Sequence, residues 1–137
     1  MQTFLPYPDL EESIVCLDSK RLGKQRVEAM QILNILTGKQ KTKGWVNHPA
    51  VLMWKGFENA LRYYMNLAIV WWILRGYNNT MLMQPINESN VELPTWFGNP
   101  EFHDSHKSNL LRKDESFYKQ YNWQVKPDLP YYWPVKR

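Results

Sequence analysis

From residue 19 to residue 37, apolar side chains return every third or fourth position, at Leu22, Ala29, Met30, Leu33 and Leu36. That is the period of one helical face packed on a core. Asp18 or Ser19 can cap the start of this helix and Gly38 can end it. A short helix is expected near Asp9, with Glu12 three residues on as its reciprocal cap. A second long helix is expected over 49–74, opened by Pro49 in its first turn and stopped at Gly76. Trp54, Phe57, Leu61, Tyr64 and Leu67 give it one apolar stripe, and Gly56 is a place for a bend. Its stretch 67–74 is apolar nearly all round, which predicts a central buried helix.

Residues 76–99 carry Gly76, Asn78, Asn79, Pro85, Pro94 and Gly98, and read as a long irregular connection. A further helix begins after Asn99-Pro100 and runs to about Lys113. Asp114 caps a short one carrying Phe117, Tyr118 and Tyr121. From Trp123 on, Pro127, Pro130 and Pro134 forbid a helix, so an extended tail is expected, with Tyr131, Tyr132 and Trp133 wrapping back onto the body. No alternating run or hairpin turn is present. The pattern predicts an all-α fold: a compact single-domain helical bundle over 1–137, with long loops and an extended aromatic C-terminal tail.

Composition adds three points. The 137 residues are 44% hydrophobic with seven Trp and eight Tyr, too apolar for disorder and more aromatic than one small core usually needs. Some rings are therefore expected along a surface groove. Cys16 is the single cysteine, so an internal disulfide and a cysteine-based zinc site are excluded, and the residue reads as a small buried hydrophobe. The longest apolar run, 67–74, is about half a membrane span, and the N-terminus lacks a signal-peptide pattern. The expected location is cytoplasmic.

The formal charge of +4 matters less than its distribution. Lys20, Arg21, Lys24 and Arg26 crowd one segment, Lys39, Lys41 and Lys43 a loop, and Lys107, Arg112 and Lys113 a third group. Three basic groups suit a polyanion such as DNA, although any one of them is also an ordinary solvated face. At helical spacing Arg21, Lys24, Gln25 and Glu28 share a face, which sets one carboxylate among cations. Glu28 is then either an ion-pair partner of Lys24 or an acid that stabilises a cationic sugar or moves a proton. Asp18 is a second acid, with helix capping as its competing task.

On the later helix Ser105, Ser108, Asn109 and Arg112 suit phosphate contacts, and His106, Lys107 and Lys113 adjoin them. His103 and His106 can equally pack. With His48 they could be imagined as metal ligands, but two histidines three apart do not define a site; no metal or cofactor is expected. His48 either meets the basic face or caps the next helix. A Walker-type loop, a nucleophile elbow and a dinucleotide fingerprint are all missing, which disfavours NTPases, elbow-type hydrolases and dehydrogenases.

Four segments carry a resemblance: MQTFLPY at 1–7, LDSKRLGKQRVE at 17–28, GWVNHPA at 44–50 and SHKSNLLRK at 105–113. Together the chain resembles the pyrimidine dimer DNA glycosylase/endonuclease V family in its bacterial branch. The resemblance implies a compact helical fold and a bifunctional mechanism. A free α-amine attacks C1′ of the damaged nucleotide and expels the base, and the resulting Schiff base permits β-elimination. An α-amine suits this task because its reference pKa is about 8, far below that of lysine, and amine nucleophiles must be neutral.

The implied nucleophile is the amine of Met1, or of Gln2 after processing. The family's Glu aligns near Gly23, Lys24 and Gln25, where this chain has no acid; Glu28, about one turn later, takes its place. The resemblance matches Arg21 and Arg26 to the family's basic residues; with the basic segments read above, the expected DNA contacts are Arg21, Lys24, Gln25, Arg26, His48, His106, Lys107, Asn109, Arg112 and Lys113. Trp45, Trp96 and Phe97 are candidate wedges or stacking surfaces. The expected partner is double-stranded DNA with a damaged or modified base flipped out of the duplex, and the expected state is a monomer. Two other readings stay open: a non-catalytic nucleic-acid-binding module on the same basic faces, and a protein-interaction domain using the aromatic tail.

Overall fold

The computed structural model describes residues 1–39 and 45–135. Among them there are six α-helices and no strand: α1 (Leu10–Val15), α2 (Ser19–Leu36), α3 (Pro49–Leu52), α4 (Glu58–Leu74), α5 (Pro100–Lys113) and α6 (Glu115–Tyr118). All the starts but that of α4 are fixed by side-chain caps, each filling an otherwise orphaned backbone N–H. Asp9 accepts from Glu12 N, Asp18 from Arg21 N, His48 from Ala50 N, Asn99 from Glu101 N and Asp114 from Phe117 N. α2 ends at Gly38 with φ +79°, a left-handed conformation that costs glycine nothing.

The helix expected over 49–74 is two helices. Gly56 adopts φ +89° and Phe57 opens α4 without a side-chain cap, so the chain turns rather than bends. The expectation that 67–74 is buried all round is also corrected. Ala68 and Ile69 are fully buried, yet Val70, Ile73 and Leu74 are 37%, 51% and 65% exposed. Among the helices, α1 and α2 are the main neighbours of α4. Its end is fastened there by Trp71 Nε1 to Glu11 and by Arg75 to Val15 O, and the remaining face meets solvent.

α2 and α4 form the central pair. Gly23 admits the ring of Trp72: a Cβ built there would lie 2.8 Å from Trp72 Cζ3. Around this pair Trp54, Tyr64, Phe102 and Tyr118 are the largest fully buried side chains. Residues 76–99 hold only a 3₁₀ turn at Glu88–Asn90 and are pinned by Asn66 to both backbone sides of Gln84 and by Asn59 to Asn87. The C-terminal tail is fastened as well. Arg112 donates to the carbonyls of Pro127 and Leu129, and Trp123 donates to the Tyr7 hydroxyl. No helix among the described residues is long and apolar enough to cross a membrane. Lys41 and Lys43 of the basic loop lie outside the described residues.

Candidate functional site

The N-terminal segment, which has no regular structure before Leu10, runs through the middle of the molecule instead of along its surface. Thr3, Phe4 and Leu5 are all buried, so their backbone groups need partners. Those of Phe4 and Leu5, and of Gln2 before them, find them on side chains of α2, α4 and α5. Gln2 N–H donates to Glu28 Oε2 at 3.2 Å, and Gln2 O accepts from Gln25 Nε2 at 3.1 Å. Phe4 N–H donates to Gln25 Oε1 at 2.9 Å. The Tyr64 hydroxyl lies 2.8 Å from Phe4 O and 2.7 Å from Gln25 Oε1, donating its one proton to one of the two. Thr3 Oγ1 accepts from Trp54 Nε1.

Leu5 is held from α5. Its N–H donates to His106 Nδ1 at 2.9 Å, and its carbonyl lies 2.7 Å from His103 Nδ1. The two imidazoles are therefore opposite tautomers: His106 keeps its proton on Nε2, and His103, whose Nε2 accepts from Gly98 N–H, keeps it on Nδ1. Burial drives both pKa values down, that of His106 to about 3 with a further push from His103.

This segment ends in a cavity of about 320 Å³ lined by Met1, Gln2, Glu28 and the cations Lys20, Arg21, Lys24 and Lys113. Arg21 is oriented by its ion pair with Asp18 at 3.2 Å. Asp18 is in turn held by a very short hydrogen bond from the Tyr118 hydroxyl, so it works as a cap and an anchor. Lys20 was not singled out from the sequence as a site residue, although its i, i+4 spacing from Lys24 places both on this face. Behind Gln2, Asn109 donates to Gln2 Oε1 at 3.3 Å and to the Tyr131 hydroxyl at 3.0 Å. Tyr131 stacks on Trp133, whose ring meets His48, which in turn packs against Trp45.

The other sequence candidates lie elsewhere. Arg26 leaves the cavity: its guanidinium lies 4.5 Å over the Trp72 ring and donates to Asn79. Lys107 pairs with Asp104 at 3.8 Å and covers the Tyr7 ring. Arg112 holds the tail. His106, expected on the DNA face, is 1% exposed, and Gln25 is likewise 1% exposed. Trp96 is buried and donates to Met53 O, which removes it as a stacking surface. Phe97 packs on His103, whereas Trp45 is 44% exposed. The reason for the burial on α5 is that this polar helix is sandwiched between the N-terminal segment and the tail. Its histidines, serines and asparagine bind backbone and side chains that periodicity does not reveal.

Cys16 is buried, and desolvation pushes its thiol up to about 12, so it is inert at neutral pH. Among the described residues no cluster of three His, Cys, Asp or Glu could hold a metal ion. Neither a curated protein nor a solved structure matches the chain. The family model described as pyrimidine dimer DNA glycosylase matches residues 1–85, which include the N-terminal segment, all of α2 with Glu28, and the Tyr64 that grips Phe4. The chain therefore belongs to the pyrimidine dimer DNA glycosylase family.

Proposed function

We propose that the cavity at the N-terminal segment is where this glycosylase excises a damaged pyrimidine, and that an α-amine held beside Glu28 is both nucleophile and lyase. One observation carries the reading. Glu28 Oε2 lies 3.2 Å from the backbone nitrogen of Gln2, inside a cavity edged by four cations. Removal of Met1 turns that nitrogen into a free amine; otherwise Met1, which also lines the cavity, carries it.

The chemistry follows from these groups. The neutral amine adds to C1′ as the glycosidic bond breaks, and the base leaves with the bonding pair and a proton. The proton that leaves with the base is the one the amine gives up, and opening of the sugar ring, with O4′ taking a proton from solvent, gives an iminium ion joined to the chain. Loss of a C2′ proton then expels the 3′ phosphate. Glu28 faces the cationic sugar and is the group placed to take the C2′ proton. Lys20, Arg21, Lys24 and Lys113 hold the flanking phosphates, and the exposed Trp45 offers a ring to the distorted stack.

The test is a duplex with a single pyrimidine dimer, run beside abasic duplex with borohydride and alongside a panel of other lesions. Excision of the dimer with a reduced covalent adduct at the N-terminal residue, located by intact and peptide mass, is the expected result. Excision without an adduct removes the amine from the mechanism. Binding without excision returns the chain to a non-catalytic DNA-binding role.

A further inference from the structure

The hydrogen bonds along residues 2–5 alternate by edge. Gln2 and Phe4 bond to α2 and α4 through Glu28, Gln25 and Tyr64, whereas Leu5 bonds to α5 through its two histidines. This is the period of an extended chain, whose successive residues present their backbone groups to opposite sides. Here no neighbouring strand supplies the partners. The Gln25 carboxamide does so on one edge, donating to Gln2 O and accepting from Phe4 N–H as one residue of a paired strand would.

We propose that Gln25 is a positioning residue that sets the register of the N-terminal segment, and so the placement of the attacking amine against Glu28. This rests on the amine mechanism proposed above. Free chain ends fray unless tied down, and a slip of one residue in an extended segment presents the wrong edge. Of the groups gripping the segment, Gln25 is the one that binds backbone on both sides of Thr3, within reach of the reacting end. Its burial excludes direct contact with DNA, and its carboxamide orientation is fixed by the Phe4 N–H that meets Oε1 and the Gln2 carbonyl that meets Nε2. Glutamine suits the task because it offers a donor and an acceptor on one planar group.

Two variants test this. Gln25→Met keeps length and removes both hydrogen bonds. Gln25→Glu keeps the acceptor, but offers a donor to Gln2 O only while protonated, and burial raises the pKa of such a carboxyl. The measurement is the rate of borohydride trapping on abasic duplex per folded, DNA-bound molecule, as a function of pH, with DNA affinity recorded separately. Gln25→Met is expected to trap about 100-fold more slowly, the cost of a misplacement near 1 Å, with affinity within about threefold of the parent. Gln25→Glu is expected to approach the parental rate as pH falls and to lose it as pH rises. A merely structural role predicts parental trapping by every folded molecule and the same pH profile for parent and Gln25→Glu, and either result overturns the proposal. If Gln25→Met does not fold, the Gln25→Glu profile decides alone. A parent that forms no adduct overturns the amine mechanism and this positioning role together; a parent that forms it while both variants match it overturns only the role of Gln25.

Discussion

The Gln2 backbone nitrogen and Glu28 Oε2 sit 3.2 Å apart although 26 positions separate them in the chain. The contact places a carboxylate against the end of the segment proposed to carry the nucleophile. Glu28→Gln retains an oxygen for the Gln2 N–H and removes the charge. We expect excision and trapping to fall by about 100-fold or more, the usual weight of a general acid–base group. DNA affinity should be kept or strengthened, because a negative charge leaves a ring of cations. Parental turnover in this variant would remove Glu28 from the chemistry.

Charge on the cavity rim should be readable as salt dependence. Each phosphate neutralised contributes about 0.9 to the slope of log affinity against log salt on duplex DNA. Lys24→Ala and Lys113→Ala are each expected to lower that slope by about one unit. Arg112→Ala should leave it unchanged, since Arg112 spends its donors on the carbonyls of Pro127 and Leu129; its effect should be a loss of stability of about 1 kcal/mol. An Arg112→Ala slope change equal to that of Lys24→Ala would show that Arg112 leaves the tail for a phosphate.

The packing of Gly23 against Trp72 makes an interaction measurable in stability alone. Alanine is favoured over glycine inside a helix by about 1 kcal/mol. Here the added Cβ would lie 2.8 Å from Trp72 Cζ3. That ring is pinned by Tyr77 stacked at 4.2 Å, by Arg26 on its face and by its own bond to Asn78 O. Gly23→Ala should therefore destabilise by about 1–3 kcal/mol, the cost of overpacking. In a Trp72→Leu background the sign should reverse toward the helix preference. Chemical denaturation of the four proteins of this cycle checks it; equal effects in both backgrounds would mean that the ring moves aside freely.

The sequence made the helices legible because caps and periodicity are local. Asp9 and Asp114 cap where expected, Asp18 is the one of the two offered residues that caps α2, α5 begins after Asn99 at Pro100, and the core positions of α2 follow from spacing. The α3–α4 break was less legible, since Gly56 inside an apolar pattern is compatible with a bend or a turn. From spacing the cavity was legible on α2, where Arg21, Lys24 and Glu28 share a face by helical geometry; Met1 and Gln2 came from the family resemblance and Lys113 from the charge distribution. What stayed hidden were the long-range partners. No local rule says that Gln25 and His106 bind the backbone of residues 2–5, or that Arg112 binds the tail, because polar residues on a helix read as solvent-facing unless the segment that buries them is known. For the same reason Arg26 was grouped with the DNA contacts when its position round the helix carries it to Trp72.

The pair of histidines on α5 predicts how the protein responds to acid. His106 is neutral and buried in the folded chain, with its pKa held at about 3, and His103 is shifted the same way. In the unfolded chain both return to about 6.5. As pH falls through about 6.5 the unfolded state takes up protons that the folded state refuses, so the stability present above that pH is lost on the way down. Each histidine contributes a slope of up to about 1.4 kcal/mol per pH unit. Between about pH 6.5 and 5, above the ordinary carboxylate range, these two residues should dominate the dependence. Urea unfolding across that window is expected to show falling stability in the parent. The slope should be shallower in His106→Asn, whose side-chain oxygen can still accept from Leu5 N–H. A parent whose stability is flat from pH 6.5 to 5 would mean that the imidazoles find protons or water in the fold, and that Leu5 is held by packing instead of by neutral histidine.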